Sequence, residues 1–273
     1  MRTNFAQRYR SFTRANVRDH QFGFNLKTLA KIEPYVAFLY EDWWRVCVPN
    51  LERLPKQGPA LIVANAGGIF PWAALMLSYA LMSQRQAGRR LYILMDMDFI
   101  EDERLYQFLV EIGFVPWSAD NAKKIFAAGD LAFLYPEPAG SAVRTVGDRY
   151  RVRDFDWTKM MPAVETQVPI YPVAVVGPDE IADVWLNFEQ LGRYLGLPSF
   201  PVTTAFPWQP FPVNLIPRRN QWVMHVLKPL KPEDVGDSRD DLEKSCQQKA
   251  FFAGGEVQAE LNRMLRTRVK TFF

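Results

Sequence analysis

Four short runs in this 273-residue chain are apolar at nearly every position: ALIVA (60–64), LYILM (91–95), LAFLYP (131–136) and PIYPVAVVG (169–177). Each is too short to span a membrane as a helix. Each is also too continuously apolar to be a strand with one wet face. Runs of this kind are strands of a sheet covered on both sides. The segments between them carry helical signals. Pro71 suits the start of a helix over 71–84, because the first turn needs no backbone donor there. The acidic turn DMDFIEDE leads to a helix over 103–112, and a short strand at 114–116 follows. Ser118 can cap a helix over 119–128 that Gly129 ends. QWVMHVLKP (221–229) alternates as a last strand, and 238–270 reads as a helix interrupted at Gly254-Gly255. Residues 196–220 read as a Pro- and aromatic-rich irregular segment. The expected fold is α/β, a mixed central sheet flanked by helices, with an aromatic helical segment over 27–46. The chain divides into a basic, aromatic N-terminal segment (1–46) and an α/β domain (47–273).

An apolar share of 48% excludes a disordered chain. Cys47 and Cys246 lie far apart, as free thiols in a reducing compartment do. No apolar run reaches about 18 residues, so no transmembrane helix is expected. No apolar core before a small-residue cleavage site marks a leader peptide. The net charge of +3 is unevenly spread. Arg2, Arg8, Arg10, Arg14 and Arg18 stand without an acid in the first 18 residues, with Phe5, Tyr9 and Phe12 at helical spacing among them. This pattern fits either an arm lying on an anionic membrane or a solvated tail. Arg263, Arg266, Arg268 and Lys270 precede Phe272-Phe273 at the other end. Neither zinc-finger spacing nor an aromatic RNA-binding signature occurs, which argues against nucleic acid as a partner.

The stretch ALIVANAGGIFPWAALML (60–77) is a strand, a turn through Asn65-Ala66-Gly67-Gly68, and a helix after Pro71-Trp72. Such junctions are where α/β enzymes tend to hold their chemistry. Here the junction holds Ala66 and Ala73, neither of them reactive.

Three blocks carry a resemblance: GPALIVANAGGIFPWAALML, FLYPEPAGSAVRTVGDRYRV and VPIYPVAVVGPDEI. With NLERLPKQGPALIVAN, DNAKKIFAAGD and FPVTTAFPWQPF in the same order, the chain resembles the lysophospholipid (glycerolipid) acyltransferase superfamily, in a bacterial branch. The resemblance implies a His and an Asp in the first motif. The His would act as general base on an acceptor hydroxyl, and the Asp would orient it, for attack on an acyl-CoA or acyl-carrier-protein thioester. Those positions are Ala66 and Ala73. In the second block Pro136 and Glu137 match, but Pro138 and Gly140 replace the family's Gly and its phosphate-pairing Arg. The resemblance makes Asn65, Gly67, Gly68, Pro71, Trp72, Asp96, Pro136, Arg144 and Arg149 candidate substrate-binding positions. Glu137 is the surviving titratable group. For Arg144 and Arg149, solvated surface charge stands beside anion binding. The third block is strand core lining the acyl side.

No other residue supplies the base. His20 lies in the N-terminal arm, and His225 lies in a late strand. Asp96, Asp98 and Glu101 lack calcium-loop spacing, and no metal or resident cofactor is expected. Ser141 and Thr145 have no visible His partner. AGGIF is not a phosphate-binding glycine loop. The expectation is an acyltransferase-fold protein that handles acyl chains or (lyso)phospholipid as a pseudoenzyme. The alternatives are a genuine acyltransferase with its pair replaced by alanine, or different chemistry in the same pocket. The expected setting is the cytoplasmic face of a membrane, peripherally attached, with a homo-oligomer or an active paralogue as a further partner.

Overall fold

The computed structural model describes residues 21–68, 70–83, 89–138, 141–194, 200–209, 216–232 and 238–268. The basic stretch 1–18, His20 and the terminal Phe272-Phe273 lie outside the described residues.

The four apolar runs form the expected strands. β1 (Ala60–Ala64), β2 (Leu91–Met95), β4 (Leu131–Leu134) and β5 (Ile170–Val176) join β3 (Phe114–Pro116) and β8 (Val223–Val226) in one sheet of order β3-β2-β4-β1-β5-β8. Five strands are parallel, and β8 runs antiparallel to β5, so the sheet is mixed. β1 is central: Ile62 faces Phe133 on one side and Tyr171 on the other, and every β1 residue is buried.

The helices are α1 (Leu26–Phe38), α2 (Trp72–Ser83), α3 (Glu103–Glu111), α4 (Ala119–Ala127), α5 (Met161–Glu165), α6 (Glu189–Tyr194) and α7 (Arg239–Thr267). α1 runs on as a π-helical turn to Trp43. Asp102 caps α3 and Ser118 caps α4, each side chain accepting from a backbone N–H three residues on. α2 is buried all round from Ala73 to Leu81, as its predominantly apolar sequence requires. From β1 the chain moves leftward through β2 to β3, then back through β4 to β5. With right-handed crossovers this puts α2 and α3 on one face and α4 and α5 on the other. Packing agrees: α2 lies against β2 and α1, while α5 lies between α4 and α7.

The structure differs from the sequence reading in two places, α7 and the segment around β7. α7 is unbroken through Gly254-Gly255, because Cys246, Ala250, Ala253, Val257 and Leu261 form one buried stripe along it. That packing outweighs the roughly 1 kcal/mol each glycine costs a helix. The segment read as irregular contributes a strand to a separate antiparallel hairpin, β6 (Val184–Asn187) with β7 (Pro201–Thr203). The aromatic helical segment ends inside the same core as the sheet, with Trp44 fully buried and stacked on Trp222 at 4.4 Å.

Candidate functional site

The leftward and rightward halves of the sheet part between β4 and β1. At such a switch point the loops leaving the carboxyl ends of two adjacent strands diverge and leave a crevice. The loop after β1 brings Asn65–Gly68 there, and the loop after β4 brings Pro136 and Glu137. They meet directly: the Ala66 N–H donates to Glu137 Oε1 at 2.8 Å.

Asn65 shapes the junction as a structural residue. Its amide donates to Val175 O at 3.0 Å and accepts from Val175 N at 2.8 Å, extending the β1–β5 ladder by a side-chain rung. Gly67 is required by space, since a Cβ there would lie 2.8 Å from Asp179 Oδ1 and Pro178 Cβ. Gly68 has φ +78, which favours glycine. The helix starts at Trp72, directly after Pro71, and the Trp72 ring packs on Trp44 and Phe70.

Arg144 holds the crevice together. Its side chain is 2% exposed. It donates to Glu137 Oε2 and to Ala66 O, reaches Asp179 Oδ1 at 3.4 Å, and places Nε 3.2 Å from Arg151 O. Solvated surface charge is therefore excluded for Arg144, and the anions it holds here are the protein's own. Glu137 accepts further from Arg153 N at 3.1 Å, and its carbonyl accepts from Lys159 Nζ at 3.2 Å. Asp179 also accepts from Tyr150 N at 2.9 Å. Burial pushes the Asp179 carboxyl up, and Arg144 and the Tyr150 N–H pull it back only in part. Two buried carboxylates thus share one guanidinium.

A second buried group adjoins the first. Tyr150 has φ +59, an unusual conformation for a bulky residue, and is held on all sides. Its hydroxyl accepts from Gly177 N at 3.1 Å and bonds Glu180, while its carbonyl accepts from Gln258 at 3.0 Å. Burial first, then Glu180, pushes this phenol well above its ordinary range. Glu180 also accepts from Asn220 at 3.2 Å and Arg268 at 2.5 Å.

The remaining expected positions fall apart from this core. Arg149 pairs with Asp183, which Arg218 also holds. Asp96 is exposed at the end of β2, with β4 between it and β1, and accepts from Asp98 N at 3.2 Å. Pro136 is buried, Pro138 is exposed, and Gly140 lies outside the described residues. Asp179, Glu180, Arg268 and Asn220 were not among the sequence candidates. The one signal for the first two was the Pro-Asp-Glu triplet directly after the β5 run.

Chemically, the junction lacks a free base. Ala66 and Ala73 are buried at 4% and 1% exposure. The Tyr135 hydroxyl beside this helix start accepts from Ala74 N at 3.3 Å, and burial pushes its pKa upward, so it stays protonated. Both Glu137 oxygens are engaged. His225 sits on β8, between Asn50 at 2.8 Å and Glu260 on α7. Among the described residues, no three His, Cys, Asp or Glu side chains gather as a metal site.

The model of a family described as Acyltransferase matches residues 45–176, which span both loops of the crevice and end with β5. An uncharacterized protein of Mycobacterium leprae is 30% identical over 255 residues, covering 93% of this chain and 69% of the relative. Another, from Mycobacterium tuberculosis, is 29% identical over 255 residues, covering 93% and 71%. In fold, the chain is similar to the 1-acyl-sn-glycerophosphate acyltransferase PlsC of Thermotoga maritima. The TM-score is 0.52 at 14% identity, covering 99% of this chain and 86% of that one. With the strand-turn-helix junction and the Pro-Glu loop facing each other at the switch point, the chain belongs to the acyltransferase family.

Proposed function

We propose that this protein binds acyl chains or (lyso)phospholipid in an acyltransferase fold without performing the family's acyl transfer. One observation carries the reading: the positions of the general base and its orienting acid are both buried alanines, while Glu137, the surviving carboxylate, is spent on Ala66 N, Arg144 and Arg153 N. A side chain tied to a buried guanidinium cannot take a proton from a hydroxyl without breaking that pair. General-base catalysis contributes about 10²–10⁴-fold, so its loss removes most of the expected rate.

The test is acyl transfer from acyl-CoA or acyl carrier protein to lysophospholipid, run beside native mass spectrometry of the purified chain. No transfer above the uncatalysed rate, together with bound fatty acid or phospholipid, supports the reading. Transfer at rates usual for an enzyme overturns it. Turnover gained only in Ala66→His/Ala73→Asp would assign instead a genuine enzyme whose pair has been replaced.

A further inference from the structure

A cavity of about 490 Å³ lies at the margin of the sheet, between the β5–β8 pair and the end of α7. It shares no lining residue with the crevice. Val176 and Val223 are cross-strand partners and give it an apolar floor, because paired residues present one face of the sheet. His225 follows two residues after Val223, on the same face. Arg263, Met264 and Thr267 come from the last turns of α7, and Arg268 follows directly. Pro49 and Gln221 complete the lining. The volume falls in the range, about 300–1,000 Å³, of sites that enclose most of a small organic ligand.

The lining carries two arginines and a histidine and no carboxylate. The acids that orient those cations, Glu180 and Glu260, are not among the lining residues. The Arg268 side chain is nine-tenths buried. Its Nη1 donates to Glu180 and its Nη2 to Gln221 O, but its buried Nε has no partner. A buried donor left unmet is costly, and a ligand oxygen is one way to satisfy it. Arg263 spends Nε and Nη2 on Glu260 and is 60% exposed, so it holds its charge at the solvent side of the cavity. Pro49, Val176, Val223 and Met264 make the rest apolar. One class of ligand fits both halves, a single hydrocarbon chain with an anionic head. A cationic head would meet two guanidinium groups, and a bare hydrocarbon would leave the Arg268 Nε unmet.

We propose that this cavity is a second ligand site, for a single-chain amphiphile whose head is a carboxylate or a phosphate. The head lies by Arg263 and Arg268, and the first carbons of the chain lie on Val176, Val223 and Met264. The site goes beyond the crevice reading and stands whether or not the crevice holds lipid.

The experiment is isothermal titration calorimetry of the full chain with dodecanoate, dodecyl phosphate and dodecyltrimethylammonium, each below its micelle concentration. At least one of the two anions is expected to bind, more weakly as salt rises, and the cation is expected not to. The anion that binds more tightly identifies the head. Met264→Trp fills the cavity and is expected to weaken that anion at least about tenfold. Arg263→Gln, at an exposed position, is expected to weaken it about two- to fivefold and to flatten the salt dependence. Phe251→Ser/Phe252→Ser, on an exposed pair of α7, is expected to change nothing, and circular dichroism checks that every variant folds. Equal binding of the cation and the anions overturns the proposal, since charge then selects nothing. So does wild-type affinity in Met264→Trp, which would return any acyl ligand to the crevice, or a loss in the Phe251/Phe252 variant. Binding of neither anion overturns it as well, and leaves the crevice reading to native mass spectrometry.

Discussion

Arg144 decides what the crevice can do. Removing one partner from a buried charge cluster leaves the others uncompensated, at about 3–5 kcal/mol. Arg144→Met is therefore expected to lower unfolding stability by about that amount, read from denaturant midpoints. The two aspartates nearby respond to pH with opposite sign. For Asp183, burial pushes the carboxyl up, but hydrogen bonds from Arg149 and the charge of Arg218 overcome it and hold the pKa below 3.8. A depressed folded value contributes stability above the unfolded value, and that stability is lost as pH falls through the folded one. Asp183→Asn should therefore cost stability at neutral pH, and the cost should shrink below pH 3.8 and then vanish. Asp179 is raised, so its contribution is fully present below pH 3.8 and is lost as pH rises through its folded value. Thermal melts of wild type and Asp179→Asn should accordingly draw together or cross as pH rises. Of these residues, the alanines at 66 and 73 were legible in sequence, because a missing group shows against an ordered motif. The clamp was not: Arg144 lies 7 positions from Glu137, 35 from Asp179 and 78 from Ala66. Nothing local distinguishes a buried arginine from a solvated one.

Among the elements, α7 shows how packing overrides propensity. Gly255 meets nothing within 4 Å of an added Cβ and has an ordinary helical backbone. Gly255→Ala should therefore stabilise the protein by about 0.5–1 kcal/mol, seen as a rise in melting temperature. Gly177 behaves oppositely. It has φ +128, and an added Cβ would lie 2.4 Å from the Trp222 ring, so Gly177→Ala should be strongly destabilising in the same measurement. Strand and helix positions in the sheet followed period and caps: β1, β2, β4 and β5 fall where the apolar runs place them. The β6–β7 hairpin did not, because half-exposed short strands carry neither a continuous apolar run nor a clean alternation.

At the scale of the whole molecule, stability is graded outward from β1. That strand is hydrogen-bonded on both sides and buried on both faces. The hairpin is only two-stranded, and Trp185 and Leu186 on it are more than half exposed. Amide exchange followed by mass spectrometry should find β1, β4 and β5 slowest and β6–β7 among the fastest of the strands. Equal protection in both would contradict that gradient.

The sequence alone determined the α/β class, the strand positions, the junction after β1 and the two alanines that the junction carries. Each of these is written in the side chains of a few neighbouring residues. Only the tertiary structure decided that Glu137 is spoken for, that Asp179 joins it around Arg144, and that aromatic residues between 185 and 208 stand exposed. Those outcomes depend on which distant segments the crossovers bring to one end of the sheet and which they leave uncovered. Burial and pairing arise from that arrangement and are carried by no stretch of chain on its own.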